Sequence, residues 1–198
     1  MFKILADKSD YSSDKEKYYN LAIECYDKMI EVNPQNIEIY REKIEFLKSI
    51  EENDLAIECY DKMIELNPNY AEAYKGKADT YKRLADGYSN SYYEDKKEYY
   101  DSAIECYDKA IELNPNDAET YKGKADACYQ LVHINNINYY FNGKKYYNLA
   151  IECYDKAIEL KPSSELYYMK SGVLYSLNRK SEGDECLRKY EELKKLGK

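Results

Sequence analysis

The sequence predicts an all-α protein, an α-solenoid of antiparallel helix pairs, on three observations. A 14-residue motif with helical periodicity occurs four times in the 198-residue chain. Each of the four prolines closes one copy of that motif. The chain has only 7 glycines, too few for an all-β fold that turns often. Its 26 tyrosines also argue against disorder, because disordered chains are poor in aromatic residues.

The repeated motif forms one helix of each unit. It reads LAIECYDKMIEVNP at 21–34 and recurs at 55–68, 102–115 and 149–162. Its apolar residues follow the i, i+3, i+4 spacing of a helix with one buried face. Proline disfavours helical geometry in the residue before it, so each copy is expected to end in a turn.

A second helical stretch follows each proline, which makes the unit a helix, a turn, a helix and a Pro-marked turn. These stretches are 37–50, 71–86, 118–134 and 165–178. We therefore expect a single repeat domain over 1–198. Its units are approximately 1–36 (partial), 37–70, 71–117, 118–164 and 165–198.

Two units are longer than the others. The copies are spaced by 34, 47 and 47 residues, so 13 extra residues fall within 85–101 and again within 132–148. Helix-like spacing continues through these inserts, which predicts that both helices of each hairpin are extended, by roughly 10 Å each. The tips would lie near 89–91 and 135–136. About five hairpins result, two or three of them elongated.

The first unit resembles the long ones but is cut short. Residues 5–7 (LAD) match 84–86, which places the start of the chain near the end of a first helix. We expect either a fragment of a longer repeat array or a chain that begins on a partial repeat. Both would leave apolar surface uncovered, because terminal repeats need a polar cap.

At these positions the sequence resembles the tetratricopeptide repeat family, whose pattern is W-x2-L-G-x2-Y, then A-x3-F, then P over 34 residues. The unit 37–70 fits without gaps, with tyrosine replacing the family's tryptophan and phenylalanine. The matching residues are Tyr40, Lys43, Ile44, Leu47, Ala56, Tyr60 and Pro68. The resemblance implies a right-handed superhelix whose concave face, lined by first helices, binds peptides.

Small residues and aromatic residues set the packing that this resemblance implies. Ala56, Ala103 and Ala150 would let the second helix of a unit lie close to the first. The tyrosine four residues after each alanine would fill the gap between neighbouring helices. Tyrosine pairs at 18–19, 99–100 and 146–147 precede the long second helices. They either extend the core, with one ring inward, or form an aromatic ridge that contacts a ligand.

Motifs for catalysis and metal binding are missing from the sequence. It has no Gly-rich phosphate loop, no Ser/His/Asp arrangement and no C-x-x-C pair, and its one histidine is His133. We therefore predict neither an enzyme nor a cofactor or metal site. The six cysteines, five of them at one repeat position, are expected to be buried or half-buried thiols in a reducing cytoplasm.

The charge and hydropathy of the chain narrow the class of partner. Its net charge of −8 disfavours nucleic acid, and its apolar runs are too short to span a membrane. The expected partner is therefore a protein or peptide. A module that assembles with itself through the truncated first unit is the alternative. Single-stranded RNA binding through the Tyr-rich tips is a weaker third hypothesis.

The resemblance assigns the binding surface to the first helices. The predicted peptide-binding residues are Arg41, Glu45, Lys48, Lys75, Asp79, Lys82, Arg83, Lys122, Asp126, Tyr129 and Met169. Their mixed character suits an extended peptide with polar and apolar groups. Three acidic residues also sit four residues after a base, which predicts solvated pairs for Arg41–Glu45, Lys75–Asp79 and Lys122–Asp126.

The same acidic positions argue against one family ligand. Relatives that bind chaperone C-terminal tails use Lys and Asn on their first helices as a carboxylate clamp. Glu45, Asp79 and Asp126 stand at the Asn positions and would repel a terminal carboxylate. Binding of chaperone tails is therefore not predicted.

Overall fold

The computed structural model describes residues 12–87, 93–134 and 143–197, and all regular structure in those ranges is helical. This confirms the all-α prediction. The nine helices of this part of the chain are α1 (Ser12–Val32), α2 (Ile37–Ser49), α3 (Asn53–Leu66), α4 (Ala71–Gly87), α5 (Tyr93–Leu113), α6 (Ala118–Ile134), α7 (Lys144–Leu160), α8 (Ser164–Ser176) and α9 (Lys180–Lys195).

The helices pair in the order that the repeats predict, and the long hairpins contain longer helices. The first helices α4 and α6 have 17 residues each, against 13 in α2. The second helix α5 has 21 residues, against 14 in α3. The predicted extension is therefore confirmed. The predicted tips at 89–91 and 135–136, and the match at 5–7, lie outside the described residues.

Side-chain caps and prolines place the helix ends. The side chains of Asn36 and Ser163 accept hydrogen bonds from backbone N–H groups in the first turns of α2 and α8. Asp117 does the same for α6, accepting from the N–H of Glu119 at 3.1 Å. Such caps satisfy backbone donors that have no partner within the helix.

The helices belong to two compact units, residues 1–69 with α1–α3 and residues 70–198 with α4–α9. The division falls between Asn69 and Tyr70, next to the predicted start of the unit 71–117. That the repeats form one continuous domain stays a prediction.

The predicted small and aromatic positions form the core of each unit. Ala56, Ala103 and Ala150 are completely buried, so their helices approach without an intervening side chain. Tyr107 and Tyr154 are 0% and 1% exposed and are among the largest fully buried side chains. The packing roles predicted for these residues are therefore confirmed.

The tyrosine pairs of the long units extend the core. Tyr100 and Tyr147 are buried, while Tyr99 and Tyr146 are half-buried. The ring of Tyr99 lies 6.1 Å from that of Tyr81. The core-extension interpretation is confirmed for these two pairs.

Ion pairs join each of three first helices to the second helix before it. Lys43 of α2 bonds Asp27 of α1 at 2.6 Å, and Lys124 of α6 bonds Asp108 of α5. Lys170 of α8 contacts Asp155 of α7 in the same way. The aspartate belongs to the repeated ECYDK motif, so the motif sets a polar contact as well as an apolar one.

Most cysteines are buried, as predicted. Cys59, Cys128, Cys153 and Cys186 are buried, and Cys106 is half-buried. Burial raises the pKa of the Cys128 thiol to about 12, so that thiol stays protonated. The prediction is wrong for Cys25, which is exposed on α1. The same position is covered by packing in α3, where Cys59 is 5% exposed.

Candidate functional site

The first helices of the unit 70–198 line a groove with two adjoining compartments. The charged compartment lies between α4 and α6 and has a volume of about 530 Å³. Its cations are Lys75, Lys82, Arg83 and Lys122. Its anions are Asp79, Asp86, Glu119 and Asp126.

The aromatic compartment lies between α6 and α8 and has a volume of about 540 Å³. Lys82 and Asp126 line it as well as the charged compartment, so the two compartments are adjacent. Its larger apolar side chains are Tyr129, Tyr154, Tyr168, Met169, Tyr175 and Leu187.

Helix periodicity explains why these side chains share one groove. In α4 the lining residues 75, 79, 82 and 86 are spaced by three or four positions, and so are 119, 122, 126 and 129 in α6. Residues at that spacing lie on one face of a helix. Because the units repeat, the same face of each of these two first helices is directed toward the groove.

A buried tyrosine hydroxyl holds one carboxylate from each of two repeats. Tyr107 of α5 donates to Asp79 of α4 at 2.5 Å, and Tyr154 of α7 donates to Asp126 of α6 at 2.6 Å. Burial and the adjacent carboxylate raise the pKa of both hydroxyls, which therefore remain neutral donors. Burial also raises the pKa of Asp126, against the opposing effects of Tyr154, Lys82 and Lys122. Asp79 and Asp126, the acidic residues at the Asn positions of the carboxylate clamp, thus each bind a tyrosine of a second helix.

Tyr107 packs directly on the backbone of α6. A Cβ atom added at Gly123 would lie 2.6 Å from both Cζ and Oη of this ring. Separations below 3.0 Å force a neighbour to move. Gly123 therefore leaves room beside α6 for the α5 tyrosine to reach Asp79 of α4.

The predicted i, i+4 ion pairs of α4 and α6 are wrong. Lys75 bonds Asp117 at 2.8 Å and Lys122 bonds Glu165 at 2.8 Å, so each lysine reaches the next first helix of the unit. Asp79 and Asp126 instead accept the tyrosine hydroxyls. Burial acts to raise the pKa of Asp117, but bonds from Lys75, Thr120 and the Glu119 N–H lower it overall.

Two of the four tyrosines that line the aromatic compartment are exposed. Tyr168 is 58% exposed and Tyr175 is 38% exposed. The Tyr175 hydroxyl donates to Asp184 at 2.5 Å, which fixes the ring at the edge of the groove. On α8, a Cβ atom at Gly172 would meet nothing nearer than the Tyr129 hydroxyl, at 3.9 Å.

Eight of the eleven predicted binding residues line this groove. They are Lys75, Asp79, Lys82, Arg83, Lys122, Asp126, Tyr129 and Met169. The other three lie on α2 in the unit 1–69. There Arg41 pairs with Glu38 at 3.1 Å, and Lys48 is 3.7 Å from Glu45. That any of these residues binds a partner stays a prediction.

Several lining residues were not predicted from the sequence. Tyr154 and Leu187 come from second helices, which the family resemblance did not assign to the binding face. One signal was present: Asp79 and Tyr107 recur 47 positions later as Asp126 and Tyr154. A repeated carboxylate and hydroxyl at one separation predicts a repeated hydrogen bond.

His133 packs against aromatic rings beside the groove. Its ring centroid is 4.4 Å from that of Tyr129, in an edge-to-face arrangement. Burial lowers its pKa, so the imidazole is neutral at pH 7. His133 is therefore a packing residue in this structure.

Comparison with known families and structures gives a consistent result. A family model described as Tetratricopeptide Repeats-Sensor matches residues 18–130, and a Tetratricopeptide repeat model matches 139–164. No curated protein sequence matches the chain.

No helix in the described ranges is long and apolar enough to cross a bilayer.

Solved structures of repeat proteins share the fold across almost the whole chain. A crystal structure of MamA is 21% identical, with a TM-score of 0.67, and covers 96% of this chain and 98% of its own. MamA 41-end from Desulfovibrio magneticus RS-1 is 15% identical, with a TM-score of 0.67, and covers 98% and 93%. TTC0263, a thermophilic TPR protein from Thermus thermophilus, is 18% identical, with a TM-score of 0.60, and covers 89% and 84%.

Proposed function

Because this chain belongs to the tetratricopeptide repeat family, we propose that it is a non-enzymatic scaffold that binds an extended segment of a partner protein. The binding site is the groove formed by α4, α6 and α8. The family fold accounts for a role in protein–protein interaction in general. Our proposal adds the location of the binding site, which we assign to this groove.

One observation supports that location: eight predicted binding residues lie around two adjacent compartments. Their side chains project from helices whose packing is fixed by buried tyrosines. Residues held in place before binding lose less conformational entropy when the partner arrives. The charged compartment offers ammonium and carboxylate groups, and the aromatic one offers apolar surface.

The overall charge supports a protein partner rather than nucleic acid. A net charge of −8 repels a phosphate backbone, and the cations of the groove are interspersed with acidic residues. The buried thiols suit the reducing cytoplasm that we expect for the chain.

A random peptide library selected on the full-length protein tests the proposed site. We expect peptides to be enriched, and their affinity to fall at least about tenfold in Lys82→Glu. Lys82 lines both compartments, so a carboxylate there changes the groove where any bound segment must pass. Fluorescence anisotropy of labelled peptides measures the affinity, and circular dichroism checks that helicity is retained.

Lys109→Glu is the matched control. Lys109 lies on the second helix α5 and pairs with Glu112, as Lys82 pairs with Asp86 on α4. Both substitutions reverse one lysine charge beside a carboxylate, but Lys109 lies away from the groove lining. If Lys109→Glu lowers the affinity for the peptides as much as Lys82→Glu does, the groove is not the binding site.

Self-association is a second candidate function, favoured by an exposed apolar stripe on α1. Leu21, Cys25, Met29 and Val32 share one face, and Val32 is 87% exposed. The residue of α3 that corresponds to Met29 is Met63, which is 2% exposed. A second copy of the chain would cover the same face of α1.

Light scattering over a range of concentrations tests self-association. The average mass of the wild-type protein should rise with concentration, and Met29→Lys should abolish the rise by placing a charge in the stripe. Glu58→Gln on α3 changes the net charge equally outside the stripe and should leave the rise intact. A wild-type protein that stays monomeric throughout would exclude self-association.

A further inference from the structure

We propose that the aromatic compartment receives a large, uncharged apolar side chain of the partner segment and acts as its main anchor site. This inference rests on the proposed function and specifies the chemistry of the partner. The charged compartment then aligns the rest of the segment.

The lining supports an apolar anchor. Four tyrosines, a methionine and a leucine surround a volume of about 540 Å³, which is within the size range of pockets that bury a ligand. Among them, Tyr168 is 58% exposed and Tyr175 is 38% exposed. Tyrosine and methionine are enriched at protein interfaces, and aromatic residues often dominate the binding free energy.

The charges of the compartment favour an uncharged occupant. Its lining contains one cation, Lys82, and one anion, Asp126. Lys82 acts on Asp126 to lower its pKa, and the carboxylate also accepts the Tyr154 hydroxyl at 2.6 Å. Since each charge already has a compensating partner, an ionised side chain buried here would be poorly paired, and such burial is costly.

Gly172 leaves room for the anchor beside α8. The absence of a side chain exposes helix backbone to the compartment, and the nearest atom to an added Cβ is the Tyr129 hydroxyl at 3.9 Å. Added atoms at this position would therefore occupy the space assigned to the anchor. Gly172 thus provides a way to fill the compartment without disturbing the core.

The repeat stacking sets a spacing for the partner. Neighbouring packed helices are separated by roughly 8–10 Å, and an extended chain advances about 3.3 Å per residue. A polar group that reaches Lys122, which lines only the charged compartment, should therefore lie about three residues from the anchor.

The library peptides that bind the wild-type protein are the probe for this inference. We expect them to share one large apolar residue, and their affinity to fall at least about tenfold in Gly172→Leu. Gly172→Ala should bind within about threefold of wild type, because one methyl group fills little of the compartment. Gly87→Leu is the matched control, since a Cβ at Gly87 meets nothing within 4 Å.

The outcomes separate this inference from the proposed function. One outcome is that peptides bind Lys82→Glu more weakly than wild type but bind Gly172→Leu as tightly as wild type. That result would overturn the proposed apolar anchor and would still support the scaffold function. Enriched peptides whose shared residue is charged would also overturn it. If the library yields no peptide that binds, both proposals fail. Thermal melting checks that each variant remains folded.

Discussion

Replacing Tyr154 with alanine is expected to lower the free energy of unfolding by about 3–5 kcal/mol, the usual cost of truncating a buried aromatic residue. The Tyr154 side chain is 1% exposed, and its hydroxyl donates to Asp126 at 2.6 Å. The substitution removes a ring from the core and takes the donor from a carboxylate of the groove. Urea unfolding followed by circular dichroism measures the loss.

Tyr154→Phe separates the two contributions. It keeps the ring but leaves the Asp126 carboxylate without its hydroxyl donor, which should cost about 1–3 kcal/mol. The double variant Tyr154→Phe/Asp126→Ala should cost less than the sum of the two single substitutions, because each single substitution removes the same hydrogen bond. Additive losses would contradict a direct bond between these residues.

Tyr168→Ala is the exposed counterpart. Tyr168 is 58% exposed on the groove surface, so its removal should change the free energy of unfolding by only about 0.5 kcal/mol. The same substitution removes part of the aromatic compartment and should weaken peptide binding. A large loss of stability would show that Tyr168 belongs to the core rather than to the binding surface.

The fold could be predicted from the sequence because the residues that end the helices and pack them together recur in successive repeats. The Asn-Pro stops, the buried alanines and the tyrosine four residues later recur in successive units, so each feature is supported several times. Their helical spacing alone identifies the buried face. The extension of α4 and α5 also followed from spacing, since the insert carries the same periodicity.

The partners of the groove side chains could not be predicted in the same way. Within one helix, Lys75 and Asp79 have suitable spacing for an ion pair, and the sequence alone favours it. In the folded unit Asp79 accepts the Tyr107 hydroxyl from another helix, and Lys75 bonds Asp117 at the start of α6. Contacts between helices depend on how the repeats stack, which spacing within one helix does not contain.

The exposed face of α1 shows that a repeat motif does not by itself predict burial. Cys25 has the same sequence surroundings as Cys59, yet Cys25 is exposed and Cys59 is buried. A repeat motif predicts which face of a helix is apolar. Whether that face is covered depends on the neighbouring repeat, and the motif carries no information about it.

Replacing Gly123 with alanine is expected to destabilise the protein by about 1–3 kcal/mol through overpacking. Helix propensity alone predicts the opposite sign, because Gly→Ala inside a helix normally stabilises by roughly 0.5–1 kcal/mol. The added Cβ would lie 2.6 Å from the Tyr107 ring, which is completely buried and cannot swing into solvent. Either the ring shifts and loses its bond to Asp79, or α6 moves away from α5.

Two further variants identify the clash as the cause. Gly172→Ala, whose Cβ would be 3.9 Å from its nearest neighbour, should follow helix propensity and stabilise the protein. Tyr107→Leu shortens the obstructing side chain, so adding Gly123→Ala to it should cost much less than Gly123→Ala costs in the wild-type protein. If Gly123→Ala is as stabilising as Gly172→Ala, the Tyr107 ring does not pack against α6 at this glycine. The contact between neighbouring repeats would then have to be assigned to other residues.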